Sequence, residues 1–215
     1  VTNTTEVNLD KSERLLWTIL RSFEALALKQ YEANAESVIT PEKRELVNLL
    51  VSRVPSDEAL EQSDLASPVS NIITSATSDQ EFGTLFIQGL LLEQLGHTLY
   101  QMLSEHESIS PQTRSLCSLG LRASEETATN TSRLLREKFS DGDQLFQAFM
   151  FSSRTILRSL VSLGESLDRH FSEPFGIEFV DLMGVFASDL IIRCVELGME
   201  RRKIVSYLTG ALMGS

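Results

Sequence analysis

Leu16, Ile19, Leu20, Phe23, Leu26, Ala27 and Tyr31 follow one another at steps of three and four residues. That spacing places all seven along one side of a rod with 3.6 residues per turn, so the segment reads as an amphipathic helix whose apolar stripe must be covered. The period recurs to the C-terminus. It returns in Leu46, Leu49 and Leu50, then in Phe82, Leu85, Gly89, Leu92, Gly96, Leu99 and Leu103. Later it runs through Leu116, Leu119 and Ala123, and through Phe149, Ile156, Leu160, Leu163 and Phe171. No strand-like alternation bounded by hairpin turns occurs. The pattern predicts an all-α protein, a helical bundle of about six to eight helices.

Capping residues and breakers predict the boundaries. Residues 1–9 carry no period and read as a loose N-terminal arm, followed by a single all-α domain over 10–215. Asp10 with Glu13 resembles a capping box. Thr40-Pro41 and Ser110-Pro111 each pair a cap with a proline at the first helical position, where the missing N–H costs nothing. Pro55 closes the second helix. Residues 57–65 and 68–76 read as two short helical pieces, and Ser78 with Glu81 opens a long helix over 79–104 that is apolar round much of its circumference. Asp141-Gly142-Asp143 reads as a turn, and Pro174-Phe175-Gly176 as a break. Two final helices cover 177–197 and 200–213, separated near Gly198.

The chain also resembles itself. Ile39-Thr40-Pro41-x-x-Arg44-x-Leu46-x-x-Leu49 matches Ile109-Ser110-Pro111-x-x-Arg114-x-Leu116-x-x-Leu119, and Thr18-Ile19-Leu20-Arg21-Ser22 recurs as Thr155-Ile156-Leu157-Arg158-Ser159. The pitch suggests three helical hairpins of about 68–70 residues, with units over 10–80, 81–142 and 143–215. In that alignment Ala27, Gly96 and Gly164 form one small column. A glycine inside a helix costs about 1 kcal/mol relative to alanine, so Ala27, Gly89, Gly96 and Gly164 are expected where a neighbouring element packs closely.

Charge narrows the partners. Nineteen basic residues against 30 acidic ones give a net charge of −11. Such a surface repels phosphate backbones, so no nucleic-acid partner is expected. Arg201, Arg202 and Lys203, the densest basic cluster, read as a solvated helix start. Cys117 and Cys194 lie in apolar helical patterns and read as small core residues, with a reducing, cytoplasmic setting. No apolar run is long enough to span a bilayer, so no integral membrane segment is expected.

Motifs for chemistry are sparse. Glu-x-x-His, Gly-x-Ser-x-Gly and the phosphate-binding glycine loops are absent, so no catalytic residue, metal site or cofactor is assigned. Glu93 and His97, four apart, share a helix face, with Tyr100 one turn on; Glu165 and His170 are a poorer match. His106 reads as exposed, and His170 as a histidine near a helix C-terminus. The leading expectation is a helical protein-protein interaction or regulatory module that self-associates. A second is a bundle enclosing an apolar small molecule, such as a lipid or pigment, with Glu93, His97 and Tyr100 as its polar anchor. A third is a metal-dependent enzyme on the same scaffold.

Overall fold

The computed structural model describes residues 11–34, 36–54, 56–78, 82–106 and 109–212, apart from the side chains of 36, 75–78, 82 and 165. The 1–9 arm, the Asp10 cap, Pro55, the Ser78–Glu81 start and the Glu165 side chain lie outside these described residues.

The described chain is all-α, without strands. In chain order the helices are α1 (Lys11–Asn34), α2 (Pro41–Arg53), α3 (Glu58–Glu61), α4 (Ala66–Ser78), α5 (Phe82–Glu105), α6 (Pro111–Lys138), α7 (Gly142–Phe175), α8 (Phe179–Glu196) and α9 (Arg201–Leu212), with a 3-10 turn at Glu36–Val38. That is more than the expected six to eight; the two short pieces expected over 57–65 and 68–76 both form, as α3 and α4, and the 3-10 turn is a further element.

The caps explain the boundaries. Thr40 Oγ1 accepts the Lys43 amide at 3.1 Å and Ser110 Oγ accepts the Thr113 amide at 3.2 Å, each ahead of a proline in the first turn. The two caps that match in sequence are thus alike in structure. Two predicted boundaries move. Asp141 is an N-cap rather than part of a free turn, and Gly142 is the first residue of α7. Pro174 does not break α7. It sits in the last turn, and the helix closes at Gly176, whose φ of 58° is left-handed and whose N–H reaches the Phe171 and Ser172 carbonyls. The start of α7 also touches the α8–α9 turn through bare backbone: a Cβ on Gly142 would fall 2.0 Å from the Gly198 carbonyl oxygen.

Helix α5 is the central rod. Every residue from 83 to 96 is buried, and α5 packs on α1, α4, α6, α7 and α8. Its circumferential apolarity therefore finds a covering on all sides. Leu16, Trp17, Leu20, Phe23 and Tyr31 of α1 join Phe86, Leu90 and Leu91 of α5 and Phe149, Leu157 and Phe171 of α7 in one continuous core. Among the described residues, no helix is long and apolar enough to cross a membrane.

Candidate functional site

The centre of the bundle holds charge. Lys43 on α2 is 1% exposed, Glu24 on α1 5% and Glu93 on α5 2%. The Lys43 ammonium pairs with Glu24 Oε2 and donates to Glu93 Oε2 at 2.7 Å, with Glu93 Oε1 also 2.6 Å away. The Tyr100 hydroxyl, from the next turns of α5, donates to Glu24 Oε1 at 2.9 Å. One buried cation thus faces two buried carboxylates. Burial is the largest effect on Glu93 and, with the Glu24 carboxylate, pushes its pKa up to about 8 against the pull of Lys43. Burial alone lowers an ammonium pKa, but the two carboxylates outweigh it and hold Lys43 above its usual value. Burial first, then the Glu24 charge, pushes the Tyr100 phenol well up.

The glycines around this cluster act as sockets for side chains. A Cβ on Gly89 would meet the Tyr31 hydroxyl at 2.5 Å, and one on Gly120 would sit 2.6 Å from the Tyr100 ring. At Gly164 the neighbour is the Phe179 ring, at 2.8 Å. Gly96 is looser: Glu24 Oε1 stands 3.4 Å from its Cβ position. Ala27, fully buried, lines a small void with Gly96 and Lys43. The Tyr31 ring stacks on Phe86 with centroids 6.1 Å apart, and its hydroxyl approaches Thr131 without hydrogen-bond geometry.

Of the three anchor residues expected from sequence, the structure brings two together. Glu93 and Tyr100 share the buried cluster through Glu24 and Lys43, whereas His97 lies apart from it. Its Nδ1 stands 3.2 Å from Ser124 Oγ, and Ser124 gives its own proton to the Gly120 carbonyl at 2.7 Å. With that proton committed to the carbonyl, Nδ1 is placed to donate to Ser124 Oγ. His97 lines a polar groove of about 310 Å³ between α5, α6 and α8, along with Gln94, Glu125 and Glu196. An entirely apolar cavity between α1, α5, α7 and α8, lined by Leu16, Leu95, Leu160 and Phe171 among others, measures about 20 Å³, roughly one water's worth.

Of the other titratable candidates, His170 has a charged partner. His170 Nε2 meets Asp64 Oδ1 at 2.7 Å, and this hydrogen bond, with Ser166 and Arg169, holds the Asp64 carboxyl below its usual pKa. His170 is thus tied to the link between α3 and α4. His106, expected to be exposed, is half-buried, with its ring 3.4 Å from the Cβ position of Gly176. Both cysteines are free and buried, and burial pushes each thiol up to about 12. Arg201 and Arg202 are exposed, while Lys203 bonds Asp143 at 2.7 Å. Among the described residues, no three His, Cys, Asp or Glu side chains are placed to hold a metal ion.

Large apolar side chains are exposed on α7, where Phe151 is 73% exposed, and on the outer face of α8. Val180 is 75% exposed and Ile192 57%, with exposed Val195 beyond them. Between them lie Gly184 and Ser188, both exposed, and a Cβ on Gly184 would meet nothing within 4 Å. No family model, curated protein or solved structure matches this chain. What it does must be read from its own surfaces and interior.

Proposed function

We propose that this protein is a helical protein-protein interaction module that self-associates through the outer face of α8. The observation that carries this reading is the exposed row Val180, Gly184, Ser188 and Ile192, which repeats every four residues and lies on one face. Gly184 bears the helix-propensity cost of a glycine, about 1 kcal/mol against alanine, yet packs against nothing in its own chain. Large apolar side chains lie at the two ends of the row and small ones at its middle. Two antiparallel copies related by a two-fold axis would set Val180 against Ile192 and Gly184 against Ser188, letting the helix backbones approach. In that register Asp181 falls opposite Ile191 rather than opposite another carboxylate. The free, buried thiols suit a reducing compartment, consistent with a cytoplasmic location.

Sedimentation velocity and light scattering test the proposal. The expected particle has twice the 24.0 kDa chain mass. Gly184→Leu should return it to a monomer while leaving the far-UV spectrum and melting cooperativity intact, because the site is open in the single chain. A wild-type monomer at 100 µM, or a Gly184→Leu variant that keeps the wild-type dimer, would overturn the reading.

A further inference from the structure

The polar groove beside α8 is built differently from the rest of the acidic surface. One wall is α5, presenting Gln94, His97 and Gln101; the other is α8, presenting Asp189, Arg193 and Glu196. Both sets follow the steps of one helix face over seven residues, so each wall is about 10 Å long at 1.5 Å per residue. Arg193 is already engaged by Glu125 of α6 at 2.6 Å. Among the described residues, Asp189 and Glu196 have no ion-pair partner, so the groove carries two carboxylates in excess. Gln94 supplies an independent observation. It is 3% exposed and lines the groove, yet among the described residues its side-chain amide makes no hydrogen bond. With no partner in its own chain, this amide opens onto the groove, where its carbonyl oxygen can accept from a bound donor.

We infer that this groove binds a linear organic di- or polyamine, with ammonium groups on Asp189 and Glu196 and the chain between them along Gln94 and His97. An elongated dication matches the site better than a compact one, since the two free carboxylates are about two helical turns apart. The volume of about 310 Å³ suits a small molecule.

Isothermal titration of the full chain with spermidine tests this, with n-butylamine as the single-charge comparison. Spermidine should bind one site per chain, at least tenfold more tightly than n-butylamine. Asp189→Asn with Glu196→Gln should weaken spermidine at least tenfold, and Gln94→Leu should weaken it several-fold. Glu58→Gln with Glu61→Gln, on exposed α3, should leave it unchanged. Equal loss in the α3 variant would mark diffuse attraction to an acidic surface and overturn the inference. So would unchanged binding in the groove variant, or no saturable binding up to 10 mM spermidine. Asp189, Glu196 and Gln94, the residues varied here, lie outside the Val180, Gly184, Ser188 and Ile192 row, and Gly184→Leu leaves them untouched, so this inference and the self-association reading can fail separately.

Discussion

Glu93 makes the stability of this protein depend on pH at a single buried atom pair. Its folded pKa of about 8 lies above the usual 4.5, so the folded chain holds a proton that the unfolded chain has released between those values. The stability this proton contributes is complete below about pH 4.5 and is lost progressively as pH rises to about 8. Glu93→Gln, which cannot titrate, should flatten that part of the profile, as read by urea midpoints at half-unit pH steps. An unchanged slope in the variant would place the proton elsewhere. Lys43→Met should be far more damaging, because it leaves the Glu24 carboxylate buried without a cation and Glu93 without its donor. The expected loss is about 3–5 kcal/mol, measured by denaturant unfolding at pH 7. The individual residues of this cluster were visible in the sequence, but their meeting was not. Lys43 stands three, four and seven residues before Leu46, Val47 and Leu50, and Glu24 stands three and seven before Ala27 and Tyr31. Both therefore lie on apolar stripes, the one available sign of buried charge. Their separations of 19 and 50 positions from their partners hide the pairing.

At the scale of the helices, the glycines of α5 and α6 differ in what they accommodate. Gly120→Ala pushes a methyl group into the fully buried Tyr100 ring, which is also held by Glu24. A loss of about 2 kcal/mol is expected, within the range for overpacking. Gly96→Ala meets only ordinary contacts and removes a helix-propensity penalty, so it should be neutral or stabilising by up to about 1 kcal/mol. Thermal melts of the two variants should move in opposite directions or, at the least, differ by several degrees. Helix identity was legible because caps and stripes are local: Thr40-Pro41 and Ser110-Pro111 stand where the chain rules put them. The ends of α7 were less so. Pro174 reads as a breaker by composition, but in the last turn it interrupts little, and Gly176 does the terminating. The small residues were recognisable as contact points, though whether a ring or a backbone fills each one depends on tertiary placement that spacing alone does not encode.

For the molecule as a whole, charge sets opposite signs on its two proposed associations. Two copies of a chain with net charge −11 repel, while the α8 row that would join them is apolar. Raising NaCl from 50 to 500 mM should therefore tighten the dimer, as followed by sedimentation equilibrium. The same change should weaken spermidine binding, which is driven by opposite charges. A dimer that loosens with salt would point to ion pairs at its interface and against the α8 row. The exposed α8 row could be found from sequence only as a segment of mixed apolarity. Burial of Leu182, Met183, Phe186 and Leu190 on the inner side is what makes the outer side distinct.

The backbone seam between Gly142 and Gly198 has a consequence for how this chain can diversify. With the Gly198 oxygen standing where a first side-chain carbon would be, position 142 admits no other residue unless the α8–α9 turn retreats. That turn also sets the origin of α9. Change at either end must be matched at the other, so the two connections are expected to vary together or not at all. Inserting residues at one of them alone should detach the last helix before it disturbs the central rod.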